Sequence, residues 1–163
     1  MLRVLLLLLL ISLSVGRSDA GEIAGQATAI DSSTIKVNDQ RIMLFGVDSV
    51  MRNETCALDG KPWKCWDASV HALQALLDRG QAVCETVGEP DLYGRVLARC
   101  TVEGESVNEQ LVRSGYALAR PAESSEYVAA EAAARESKVG LWRGQFTPPG
   151  EIRRQHGIMV ERP

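Results

Sequence analysis

Arg41-Ile-Met-Leu-Phe-Gly-Val-Asp-Ser-Val-Met51 is the stretch on which the fold of this chain turns. Its first part, Arg41 to Val47, is a short apolar and β-branched run that reads as a strand. Upstream, Glu22 to Ile30 and Thr34 to Val37 read the same way. The segments between them, Asp31-Ser-Ser33 and Asn38-Asp39-Gln40, are turn formers, so three strands joined by tight turns are predicted. From Asp67 the period changes: Val70, Leu73, Leu76 and Leu77 recur at three and four, with Gly80 just beyond, which predicts a helix packing one face. Val83 to Val87 and Arg95 to Val102 return to strand. Val107 to Ser114 reads as a short helix closed by Gly115, and Ser124 or Ser125 as the cap of an Ala- and Glu-rich helix running to Lys138. Strands, one helix, two strands and two helices make an α+β order.

A length of 163 residues suits one domain. Arg3 followed by the apolar run Val4 to Val15 and a small residue at Ala20 has the layout of a secretory signal peptide, with cleavage expected near Ala20. The apolar run is shorter than the roughly 20 residues needed to span a bilayer. The expected organisation is therefore a signal peptide over 1–20, a folded domain over 21–147 and a basic tail over 148–163. Secreted or periplasmic localisation follows, with no transmembrane segment after signal removal. Loss of Arg3, Arg17 and Asp19 with that segment leaves 16 basic and 20 acidic residues, a formal charge of −4 against −3 for the whole chain. An acidic protein gains little from the counterion release that drives non-specific nucleic-acid binding.

Cys56, Cys65, Cys84 and Cys100 all lie in the exported part, where disulfides persist. Three connectivities are possible. Cys56 and Cys65 end a short Gly/Pro-containing loop, Leu58-Asp-Gly-Lys-Pro-Trp63, and Cys84 and Cys100 fall in strand-like runs. Pairing by neighbours, Cys56–Cys65 and Cys84–Cys100, is the economical arrangement, each bridge contributing about 2–4 kcal/mol. A zinc site needs close Cys-x-x-Cys pairs or nearby histidines, and the sequence has neither.

Several motifs in order then resemble the staphylococcal-nuclease-like (thermonuclease) family. Ile30-Asp-Ser-Ser-Thr-Ile-Lys-Val37 resembles its Asp-Gly-Asp-Thr turn, and Arg41 to Met51 its Ile-Arg-Leu-x-Gly-Ile-Asp-x-Pro-Glu. Trp63-Lys-Cys65 with Ala68 and Leu73 resembles the start of its first helix, and Asp91-Leu-Tyr-Gly-Arg95 its Asp-x-Tyr-Gly-Arg. Asn108-Glu-Gln-Leu-Val-Arg-Ser-Gly115 resembles its Asn-x-x-Leu-Val-x-x-Gly, and Gly140-Leu-Trp142 ends the pattern. The resemblance, from about Ala24 to Arg153, implies a five-stranded OB-type β-barrel carrying three helices.

Enzymes of that family hydrolyse phosphodiester bonds in DNA and RNA with a calcium ion, a glutamate that positions or activates water, and two arginines. Calcium takes hard anionic oxygens, the water needs a carboxylate within reach, and guanidinium forks match phosphate. Set on this chain, one liganding aspartate falls on Ser33, the first arginine on Met43 and the glutamate on Met51. Asp48 stands at the other liganding aspartate, and Asp31 matches the first aspartate of the turn, near the metal. Arg95 alone keeps its catalytic position. Loss of a positioned base costs about 10²–10⁴ in rate, and of a charge-stabilising donor about 10²–10³. Arg52 and Glu54 flank the segment, but a displacement of roughly 1 Å already forfeits much of a rate.

Each of these residues also has a plainer reading. Met43 and Met51 fill core or rim space. Arg95 serves either phosphate or an ion pair with Asp91 or Asp48. Asp31 and Asp48 hold a weak divalent ion or satisfy backbone amides. Tyr93 stacks on a base or packs at a strand end. The family's paired tyrosines have no match near Ala119-Arg-Pro121. His71 is expected at the surface. The tail, with Arg153, Arg154, His156 and Arg162 after Pro148-Pro149-Gly150, reads as a loosely ordered, solvated end.

The resulting expectation is a monomeric exported binding or assembly module without nuclease activity or cofactor, whose partner is a polyanion (nucleic acid or envelope polysaccharide) or a protein. The alternative is a weak or altered secreted nuclease using Asp48, Arg95 and calcium.

Overall fold

A computed structural model describes residues 21–90 and 93–155, so the expected signal segment, Asp91 and the last part of the tail lie outside the described residues. Strand alternation builds the barrel. In β1 (Glu22–Gly25), β2 (Ala27–Ala29), β3 (Thr34–Val37) and β4 (Gln40–Leu44) the inward residues include Ala27, Ile35, Val37, Ile42 and Leu44. β8 (Ala82–Val87) adds Ala82 and Cys84, and β9 (Val96–Val102) buries every second residue: Val96, Ala98, Cys100 and Val102.

The strands pair in the order β1-β8-β9-β4-β3-β2. All these pairings are antiparallel except β4 with β9, where Ile42 lies opposite Val96 and Leu44 opposite Ala98. Only Gln26 separates β1 from β2, so one continuous segment occupies both ends of that path. The sheet thereby closes on itself, and closure leaves no long edge. Counted this way, the barrel has five principal strands, the first bent at Gly25-Gln26.

Short strands decorate it: β5 (Val47–Asp48) pairs with β11 (Leu118–Ala119), and β10 (Glu105–Ser106) with β9. The segment expected as a loop between Cys56 and Cys65 is a hairpin of β6 (Cys56–Leu58) and β7 (Lys61–Trp63). Its turn residues Asp59 and Gly60 have φ of 52° and 72°, the geometry that suits the twist of paired strands.

Helix α1 (Cys65–Leu77) lays Leu73 and Leu77 on the barrel, and its Gln74 Oε1 accepts from the Ala29 amide at 2.8 Å. Helix α2 (Val107–Arg113) is capped by Ser106, whose hydroxyl accepts from the Glu109 amide, and ends at Gly115 with φ 77°. Helix α3 (Val128–Glu136) starts later than the Ser124 or Ser125 cap predicted, because Ser124 Oγ accepts instead from the Glu126 amide within the preceding turn. Lys138, at φ 52°, lies beyond its end. A 3-10 helix, Gly140–Arg143, follows.

A fourth helix was not expected. Residues predicted as a loose end form α4 (Pro149–Gln155). Pro149 is buried at the first helical position, where a missing N–H costs nothing. Glu151 stands in the first turn, and Arg153 and Arg154 in the last, both favourable to the helix dipole.

Cys84–Cys100 joins β8 to β9 inside the barrel core, and Cys56–Cys65 ties the β6–β7 hairpin to the start of α1. The second bridge sits in a satellite cluster of Val50, Leu118 and Leu141 with Trp63, Trp66, Trp142 and Phe146 packed against it.

Candidate functional site

Gly46-Val-Asp48 leaves the barrel at the end of β4. Gly46 has φ 71°, and a Cβ there would lie 2.9 Å from the Tyr127 ring, so both backbone and packing require glycine. The chain then pairs as β5 with β11, which holds Asp48 half-buried opposite Leu118.

The Asp48 carboxylate is engaged on both oxygens. Arg153 of α4 donates Nη1 to Asp48 Oδ1 at 3.0 Å and Nη2 to Oδ2, a bidentate fork. The Ser49 amide also donates to Oδ1 at 3.1 Å. The two side chains are 25% and 14% exposed, so solvent screens the pair only in part. The hydrogen bond to Asp48 raises the Arg153 guanidinium above its ordinary range, partly offset by burial and helped by the charges of Asp48 and Glu123. Glu123 Oε2 accepts from the Gly46 amide at 3.1 Å, and Arg120 Nε lies 3.2 Å from its other oxygen. Two arginines and two carboxylates thus surround the turn after Gly46.

The Asp31-Ser-Ser33 turn is tied to the same region. Asp31 Oδ1 accepts from the Ser33 amide at 2.8 Å, an Asx turn. Buried Ser32 donates to Ser49 Oγ at 2.9 Å or to the Val50 carbonyl at 2.8 Å. Asp48 and Ser49 are therefore brought to the Asp31–Ser33 turn. Of the two ion pairs read for Arg95, Asp48 has both oxygens held in the Arg153 fork, and Asp91 lies outside the described residues.

Arg95 places its guanidinium 5.2 Å from the Tyr93 ring centroid. Tyr93, read as either stacking on a base or packing at a strand end, is 82% exposed in the connection before β9. Met43 projects from the outer face of β4 opposite Thr34 and Leu97 and is half-buried, while Met51 is exposed at the rim. His71 is exposed. Burial raises the Glu54 carboxyl, and its Oε2 is buried without a hydrogen-bond partner.

A divalent ion does not fit this arrangement with Arg153 in place. The one family aspartate retained in the segment is already neutralised by a guanidinium, and Asp31 spends an oxygen on its own turn. No group of three or more His, Cys, Asp or Glu converges on a metal position among the described residues.

Sequence reasoning missed Arg120, Glu123 and the inward role of Arg153. Arg120 and Glu123 carried a weak signal in their i,i+3 charge pattern. Arg153 carried one in the Pro149 helix start, which places an otherwise tail-like arginine on an ordered turn.

The barrel, its helices and the motifs around it define a member of the staphylococcal nuclease family: the family model for staphylococcal nuclease homologues matches residues 41–144, and the chain belongs to that family. Among curated proteins it is similar to the succinoglycan biosynthesis protein ExoI of Rhizobium meliloti (strain 1021), with 34% identity over 134 residues, covering 78% of this chain and 70% of the relative.

Proposed function

We propose that this protein is an exported, monomeric binding or assembly module for an acidic envelope polysaccharide and does not act as a nuclease by the family mechanism. The observation that carries this reading is the Arg153 fork on Asp48. A guanidinium of the chain's own fourth helix supplies the positive charge that a metal would otherwise bring, so the carboxylate is satisfied without a ligand. Ser33, Met43 and Met51 point the same way, since each removes a charge that phosphodiester hydrolysis needs.

The polysaccharide half of the reading rests on the relative, whose name assigns it to succinoglycan biosynthesis. Export is supported by the charged and apolar start of the chain and by two disulfides. None of the helices among the described residues is long and apolar enough to cross a membrane.

The test is incubation of the mature protein with single-stranded DNA and calcium. Cleavage no greater than that of the Arg95→Ala variant is expected. Calcium-dependent cleavage abolished by Arg95→Ala or Asp48→Ala overturns the reading in favour of a secreted nuclease.

A further inference from the structure

Most described arginines of this chain pair with a carboxylate, as Arg79 does with Glu103 and Arg99 with Glu126. Some of these also lie over a ring, Arg99 over Phe45 and Arg135 over Trp142, each at 4.4 Å, but two other arginines are held by a ring without such a carboxylate. Arg52 lies over the Trp66 ring, 4.2 Å from its centroid, and Arg143 lies over Trp63 at 5.7 Å. Arg143 also donates Nε to the Gly140 carbonyl at 3.3 Å, and neither guanidinium has a carboxylate partner among the described residues.

Their platform is rigid. Trp63 and Trp66 pack on the cluster around the Cys56–Cys65 bridge, one at the end of β7 and the other in the first turn of α1. Ala57 and Gln145 exchange backbone hydrogen bonds at 2.9 and 2.7 Å, which binds the Arg143 segment to the hairpin. Gly144 lies so close that a Cβ would meet the Ala57 carbonyl at 2.3 Å. Arg52, Lys61, Lys64 and Arg143 set four cations against Glu54, Asp59 and Asp67 on this part of the molecule, in a chain of net charge −3.

A guanidinium stacked on an aromatic ring uses its face for the ring and keeps its in-plane N–H donors at the edge, where they match a carboxylate fork. Because the side chain is already immobilised, less conformational freedom is lost when an anion docks. We infer that the Arg52–Trp66 and Arg143–Trp63 stacks form a binding surface for the carboxylate-bearing sugars of an acidic polysaccharide. The inference rests on the polysaccharide reading above and assigns its binding residues. Nucleic acid fits less well. Bases need open aromatic faces, which here lie under guanidinium groups, and a phosphate at every nucleotide calls for a continuous cationic track rather than separate forks.

Titration of the mature protein with polygalacturonate oligomers, followed by tryptophan fluorescence and calorimetry, tests it, with neutral dextran and an oligo-dT strand as comparators. Binding to polygalacturonate but not dextran is expected. Arg52→Gln with Arg143→Gln should weaken it by about tenfold or more, the scale of lost charge-assisted hydrogen bonds. Arg52→Lys with Arg143→Lys keeps the charge without the fork and should also weaken it, whereas Arg41→Gln, at an exposed site elsewhere, should not. Thermal melting establishes that each variant is folded. Full binding by a folded Gln pair overturns the assignment of this surface and leaves the polysaccharide reading standing. No polygalacturonate binding by the unaltered protein overturns both. Tighter binding of oligo-dT, lost in the Gln pair, overturns the polysaccharide as occupant.

Discussion

Arg153 closes on Asp48 with both of its terminal nitrogens, across 105 residues of sequence, and so fastens the C-terminal helix to the end of the barrel. Breaking one side of this half-buried pair leaves the other charge poorly solvated. Arg153→Met should therefore cost about 1–3 kcal/mol of stability, more than Asp48→Asn with Arg153→Met together. A double-mutant cycle by urea unfolding reads the coupling, expected at about 1–2 kcal/mol.

The same pair sets an expectation for calcium. Ser33→Asp adds a carboxylate beside the turn but leaves Asp48 in the guanidinium fork, so it should produce no calcium heat by calorimetry. Ser33→Asp combined with Arg153→Ala frees Asp48 and should produce measurable binding, since affinity rises with the number of available carboxylates. Calcium binding by Ser33→Asp alone would show that Arg153 does not control the site.

Asn108 is fully buried and serves three backbone groups at once. Its Oδ1 accepts from the Cys100 amide at 3.0 Å, and its Nδ2 donates to the Phe45 carbonyl at 2.9 Å and the Ala98 carbonyl at 3.2 Å. These bonds lock α2 to the point where β4 runs out beside β9. Asn108→Ala removes a partner from the Cys100 amide and the Phe45 carbonyl, while the Ala98 carbonyl keeps the Phe45 amide at 2.9 Å, so a loss of about 1–3 kcal/mol is expected in chemical denaturation. Asn108→Asp should also destabilise, because a carboxylate cannot donate to Phe45 and Ala98.

Asn108 shows what the sequence could convey. It stands in a motif recognisable by spacing, and the barrel strands around it were legible because alternation at positions such as Ile42, Leu44, Val96 and Ala98 repeats often enough to be seen. The α1 face was legible for the same reason in Leu73 and Leu77. Two-residue strands such as Val47–Asp48 and Leu118–Ala119 have too few residues for any period. They exist because the tertiary fold brings them together. The β6–β7 hairpin was signalled by Asp59-Gly60, but the flanking cysteines drew the reading toward a loop. The Asp48 partner was only half legible for a different reason: the Pro149 helix start signals an ordered turn, but nothing local distinguishes Arg153 from Arg154 as the one that turns inward.

Cys84 and Cys100 face each other on adjacent strands within the core, and both are fully buried. In the chain-entropy account, a bridge closing a loop of this size stabilises by about 3 kcal/mol. Cys84→Ala with Cys100→Ala should lose at least that, with added cost from the space left in the barrel. Cys56→Ala with Cys65→Ala should cost less in global unfolding and should shift the tryptophan emission, because Trp63 and Trp66 pack beside that bridge. Guanidinium titrations followed by both far-ultraviolet circular dichroism and fluorescence separate the two effects.

Tyr127 gives the pH dependence its clearest sign. It is 4% exposed, its ring covers Gly46, and burial, with the nearby Glu126 charge adding, pushes its hydroxyl up to about 12 from 10.0. A folded-state value above the unfolded one means that folding favours the protonated phenol. The stabilisation is complete below pH 10 and is lost as pH rises from there through about 12, amounting to roughly 2–3 kcal/mol at 1.36 kcal/mol per unit. Thermal melts between pH 8 and pH 12 should show the protein falling steeply across the upper half of that range. Tyr127→Phe has no phenol to ionise, so its melting temperature should fall less over the same interval and approach or pass that of the parent near pH 12. Parallel curves for the two proteins would mean that the buried hydroxyl does not govern alkaline stability.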